Sequence, residues 1–119
     1  NIIALKEYGV LPASATDLRL LLVWQATGPI PDVYTVFVHV LDENGKLWAQ
    51  RDSRPENNQQ ATSSWRPGQV CLDRRAVSLP SGLPSGRYWL SVGLYNAEKR
   101  LNLVEGGNDV RLGPIVIKR

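Results

Sequence analysis

Short apolar runs with a period of two, each closed by Gly, Pro, Asn or Asp, recur along the entire chain, and this pattern constrains the fold more than any other feature. In "YTVFVHVL" (Tyr34 to Leu41) and "RYWLSVGLY" (Arg87 to Tyr95) every second residue is aliphatic or aromatic. A strand places successive side chains on opposite faces, whereas a helix needs apolar residues three and four apart. No segment sustains the helical period over three turns. The expected strands are Ile2 to Tyr8, Leu18 to Ala26, Val33 to Asp42, Lys46 to Ser53, Val70 to Leu79, Arg87 to Tyr95, a short one over Leu101 to Val104, and Val110 to Ile117. Seven or eight antiparallel strands in 119 residues predict one all-β domain, a sandwich of immunoglobulin-like or jelly-roll-like type spanning residues 1–119.

The turns between these runs have physical causes. Asn44-Gly45 suits a two-residue type I′ hairpin, and Gly28-Pro29 with Pro31 ends a strand. "LPSGLPSG" (Leu79 to Gly86) cannot be regular structure. "RPENNQQATSSWRPG" (Arg54 to Gly68) is a long polar loop containing Trp65, a residue able to fold down onto a sheet face. In the stretch that follows, Pro67-Gly68 turns the chain into a strand, with Asp73 expected to meet Arg74, Arg75 or a backbone N–H at the strand's rim.

A two-residue turn at Asn44-Gly45 sets a register in which Glu43 faces Lys46, Leu41 faces Trp48, His39 faces Gln50 and Phe37 faces Asp52. One face of the hairpin then carries Val36, Val38, Val40, Leu47 and Ala49 and belongs in the core. The opposite face mixes Phe37, His39, Leu41 and Trp48 with Gln50 and Asp52. If Arg87 to Tyr95 lies beside Val33 to Asp42, Trp89 and Tyr95 extend that mixed face, and the small Ser91 and Gly93 leave a depression between them. Rings beside amide and carboxylate groups suit sugars, which offer an apolar C–H face and a rim of hydroxyls. The candidate ligand-binding residues are therefore Trp48, Trp89, Tyr95, His39, Gln50 and Asp52. The plainer alternative is that these rings only cover the sheet or pack against a parent protein.

Composition narrows the remaining classes. The 14 basic and 11 acidic residues are interspersed, which argues against nucleic acid as a partner. One cysteine and one histidine make a zinc site implausible, and no cofactor motif occurs. The chain lacks a GxSxG elbow; Asp42, Asp52 and Asp73 are the carboxylates that could conceivably converge. No apolar run approaches the ~18 residues of a membrane span. A start at Asn1 and the lack of any methionine lead us to expect a piece of a longer polypeptide.

The order of "LLVWQA" (Leu21 to Ala26), "YTVFVHVLDENGKLWAQRD" (Tyr34 to Asp52), "TSSWRPGQVCLD" (Thr62 to Asp73), "LPSGRYWLSVGLYN" (Leu83 to Asn96) and "RLNL" (Arg100 to Leu103) resembles a β-sandwich domain near the C-terminus of bacterial polytopic membrane proteins. Many of those proteins look like dolichyl-phosphate-mannose-type glycosyltransferases. The resemblance implies a non-catalytic, extracytoplasmic module attached to a membrane enzyme, with that parent protein as its partner; a glycan partner is suggested by the mixed face, not by the resemblance. It carries over no catalytic residue, because the catalytic acids of such enzymes lie in their membrane-embedded portion. The alternatives are a protein-interaction or assembly module with no sugar ligand, and a small independent enzyme.

Overall fold

The computed structural model describes residues 2–11, 16–55, 61–97, 99–104 and 106–118. Seven strands form: β1 (Ile3–Val10), β2 (Asp17–Ala26), β3 (Thr35–Leu41), β4 (Leu47–Ser53), β5 (Val70–Ser78), β6 (Gly86–Tyr95) and β7 (Val110–Ile117). They build a three-stranded sheet ordered β1-β2-β5 and a four-stranded sheet ordered β4-β3-β6-β7, with every pairing antiparallel. This is the strand order of an immunoglobulin-like sandwich, with the fourth strand pairing with β3 rather than β5. The segment Leu101 to Val104 forms no strand; its neighbour Arg100 makes a single bridge to Tyr95, while Leu103 plugs the core.

Alternation decides which residues meet between the sheets. Leu18, Leu20, Leu22, Trp24 and Ala26 of β2 face Val36, Val38 and Val40 of β3 and Leu90, Val92 and Leu94 of β6 across one continuous core. At the entrance to β6 the Tyr88 hydroxyl donates to the Pro84 carbonyl at 2.6 Å. This is the tyrosine corner of immunoglobulin-like domains, and it fastens the irregular "LPSG" turn to the strand it feeds.

In the long loop, a short 3₁₀ turn (Thr62–Ser64) brings Trp65 into the core, where it is 3% exposed. The expectation that this ring folds onto an outer sheet face is thus corrected. The cause is the anchor beside it: Thr62 Oγ1 donates to Asp32 O at 2.8 Å and accepts from Tyr34 N–H at 2.9 Å, so the loop is tied between the sheets. Residues 56–60 of this loop lie outside the described set.

A second correction concerns β5, whose inward residues are Cys71, Asp73, Arg75 and Val77. Asp73 lies in the interior, not at a rim. Its Oδ2 accepts from Arg75 Nη2 at 2.7 Å and from Trp24 Nε1 at 3.3 Å, and both charged side chains are fully buried. Arg75 Nη1 continues across to the carbonyls of Val36 at 3.2 Å and Arg51 at 3.3 Å, so one guanidinium links β5 to β3 and β4. A buried pair broken on one side leaves an uncompensated charge, at a cost of about 3–5 kcal/mol, whereas apolar replacement of both partners is often neutral. Asp73→Leu is expected to lose stability of that order in urea unfolding. Asp73→Leu with Arg75→Met should recover most of it.

Candidate functional site

The hairpin that the sequence places at Asn44-Gly45 forms with a different loop. Asp42 N–H donates to Lys46 O and Gly45 N–H donates to Asp42 O, both at 3.0 Å, and Gly45 adopts a φ of 79°. These bonds close a three-residue loop rather than the expected two-residue type I′ turn. The Asp42 side chain is the reason: Oδ1 accepts from the N–H groups of Asn44 at 2.8 Å and Lys46 at 3.0 Å, rewarding the longer loop.

The longer loop shifts the register locally. Leu41 pairs with Leu47 instead of Trp48, and a bulge restores the expected pairs Val40–Ala49, His39–Gln50 and Phe37–Asp52. A one-residue slip exchanges faces. Leu47, expected in the core, is 44% exposed, and Trp48 packs against the core instead. The indole N–H of Trp48 donates to Asp42 Oδ2 at 2.9 Å, and Lys46 Nζ lies 4.2 Å from its ring centroid. Those hydrogen bonds, that from Trp48 first, hold the Asp42 carboxyl below its usual range.

The mixed face therefore divides. Trp48 lines a depression at the end of the sandwich with Asp42, Arg87 and Tyr88. Trp89 sits half-buried where β6 meets β7, its Cδ1 3.3 Å from the Cβ that Gly113 lacks. Along β6, Trp89 and Tyr95 stand about 20 Å apart. The dip expected over Ser91 and Gly93 is filled: a Cβ on Gly93 would meet the Phe37 ring at 2.6 Å, and Ser91 Oγ donates to Asp109 Oδ2 at 2.6 Å. That bond lowers the Asp109 pKa most, with Arg111 Nε at 2.9 Å assisting.

His39, Asp52 and Tyr95 do converge. With Phe37, Asn96, Ala97, Lys99 and Arg100 they line a depression of about 300 Å³ on the outer face of the four-stranded sheet. Tyr95 Oη donates to Asp52 Oδ2 at 2.9 Å. Burial, then that carboxylate, raises the Tyr95 pKa. Asp52 Oδ1 is enclosed and has no hydrogen-bond partner; His39 Nε2 stands 3.8 Å away, beyond hydrogen-bond distance. The imidazole leans on Phe37, with ring centroids 4.9 Å apart. Gln50 is His39's cross-strand partner, yet it is exposed and makes no hydrogen bond to the imidazole.

Lys99 and Arg100 were not among the residues singled out from the sequence, although they appear there as a basic pair just beyond the β6 strand. A turn in which Asn96 N–H donates to Lys99 O at 3.0 Å and Lys99 N–H to Asn96 Oδ1 at 3.1 Å carries them back over the sheet. The Arg100 guanidinium then lies 4.3 Å from the Phe37 ring centroid, and Phe37 is 1% exposed beneath it.

Two other arrangements lead elsewhere. His39 and Ser91 are cross-strand neighbours with Asp52 beyond, but the Ser91 proton is directed at Asp109, away from any relay through the imidazole. The three aspartates considered for catalysis separate: Asp42 is in the hairpin loop, Asp52 on the outer face and Asp73 between the sheets. Among the described residues no group of three or more His, Cys, Asp or Glu side chains is placed to hold a metal ion, and no helix is long and apolar enough to cross a membrane. No protein-family model and no curated protein matches this chain.

Two outcomes test the geometry. Gly93→Ala forces a Cβ into the Phe37 ring and the Asn108 carbonyl, so a loss of about 1–3 kcal/mol is expected in chemical unfolding, with displaced Phe37 resonances. Burial lowers the His39 pKa below 6.5, with Asp52 opposing and Arg100 assisting. The unfolded chain then takes up its proton first as pH falls. The contribution to stability is complete above pH 6.5 and is lost as pH drops through the lowered folded value. His39→Gln should flatten that part of the profile of urea midpoint against pH.

Proposed function

We propose that this domain is a non-catalytic accessory module of a larger extracytoplasmic membrane protein of the glycosyltransferase type, and that the outer face of its four-stranded sheet holds a glycan. The parentage is supported by the sequence resemblance. The glycan reading is supported by one observation above the others, the state of the Asp52 carboxylate at the Phe37–Arg100 depression. One of its oxygens accepts from Tyr95, and the other is enclosed without a donor. Leaving a buried acceptor unmade costs about 1–3 kcal/mol, reduced here because the side chain retains 23% exposure. A ligand entering the depression relieves that cost through His39, by shifting the imidazole so that Nε2–H closes the 3.8 Å gap to the enclosed Asp52 Oδ1.

The size is compatible with one sugar-sized group, since small-molecule pockets begin at roughly 300 Å³. Recognition is led by hydrogen bonds, because Trp48 and Trp89 lie outside the depression and offer no shared stacking platform. For the same reason indole fluorescence is a poor reporter. The imidazole resonances of His39, the single histidine, provide a better one. Titration of the 119-residue chain with cell-wall polysaccharide fragments should shift them saturably, and Asp52→Ala should weaken that response about tenfold. Unmoved His39 resonances with every fragment would remove the glycan reading.

A second reading, assembly with another copy of the chain, is favoured by β5. This edge strand pairs with β2 without a bulge or proline and exposes Val70 and Leu72, 51% and 43% accessible, side by side on the outer face. Sedimentation should then show a dimer that Leu72→Lys dissociates; a wild-type monomer at all concentrations rules this reading out.

A further inference from the structure

We infer that the ligand of this depression carries a carboxylate and that Arg100 grips it: an acidic sugar residue of the uronate class. This deepens the glycan reading and rests on it. Among the described residues, the depression is lined by two full cations, Lys99 and Arg100, and by the carboxylate of Asp52. That carboxylate is turned toward Tyr95 and His39, so it does not neutralise the rim cations by direct pairing. Neither Lys99 nor Arg100 makes a side-chain hydrogen bond or ion pair among the described residues. Asp109 is close enough for its field to be felt by Arg100, yet its Oδ2 already accepts from Ser91 and Arg111.

Arg100 is also held in place without being used up. Its backbone bridges Tyr95, and the next residue, Leu101, donates its N–H to Leu94 O at 2.8 Å. Its guanidinium lies on the Phe37 ring, which itself rests over Gly93. A cation–π contact orders a guanidinium without using up its N–H donors, which match the two oxygens of a carboxylate. A guanidinium already ordered by such a contact loses less side-chain freedom when it binds. The sugar hydroxyls beside the carboxylate then lie within the same depression as Tyr95, Asp52 and Asn96.

The test compares an oligogalacturonate trimer with its carboxyl-reduced, neutral counterpart by calorimetry and by His39 resonances at low ionic strength, where a partly exposed ion pair is least screened. The inference expects the acidic trimer to bind at least about tenfold more tightly than the neutral one. Arg100→Gln should remove that difference while circular dichroism and unfolding midpoint stay near wild type. Arg100→Lys, which keeps the charge and loses the planar fork, should restore only part of it. Equal binding of both trimers overturns the carboxylate inference and leaves the glycan reading standing. A preference for the acidic trimer that survives Arg100→Gln overturns the assignment to Arg100. Absence of binding by either trimer, with His39 shifting on another neutral fragment, overturns the inference alone; absence of binding by every fragment removes the reading beneath it as well.

Discussion

The outer site depends on an ion pair that it never touches. Arg75, neutralised by Asp73, reaches across the sandwich to the carbonyls of Val36 and Arg51. In a pleated strand the residues next along, Phe37 and Asp52, point the opposite way. Phe37 and Asp52 are cross-strand partners and both line the depression. The guanidinium therefore fixes, from inside, the two backbone points from which the floor and the acceptor of the site project. A hydrophobic filling could hold the sheets together equally well. It would offer no donors to those carbonyls, so the link between the interior and the position of the outer face is specific to the charge pair.

Much of the architecture was legible in the alternation. The boundaries of β2, β4, β6 and β7 follow the apolar period closely, and Val36, Val38 and Val40 sit in the core as their spacing requires. The register joining Phe37 to Asp52 and His39 to Gln50 was readable too, because a bulge cancels the extra residue of the loop. That cancellation was not readable. Asn-Gly favours a tight turn by its backbone preferences, but Asp42 contributes side-chain bonds that outweigh them. Trp48, the residue inserted at the bulge, changes face as a result.

The remaining differences have a shared physical origin, in partners distant along the chain. Binary patterning places Asp73 and Arg75 on the same face as Cys71 and Val77, yet a charged residue at an inward position is ordinarily assigned to a strand end. Only the meeting of both charges with Trp24, Val36 and Arg51 makes the interior tolerable. Trp65 enters the core because Thr62 is tied to Asp32 and Tyr34. Lys99 and Arg100 reach the candidate site because the turn at Asn96 folds them back, and a basic dipeptide alone gives no hint of that direction.

The way Arg100 is carried separates two kinds of residue that a binding face usually mixes. Phe37 and Gly93 fit each other so closely that neither can change alone, and they belong to strands tied into the interior. Lys99 and Arg100 hang from a turn at the end of β6, and their side chains contribute nothing to the packing between the sheets. Mutation can therefore explore the charge and reach of the turn while the platform beneath remains constant. The face is built in the manner of an interchangeable tip on a fixed handle, so its rim charge can change at a few positions after Tyr95 without any change in fold.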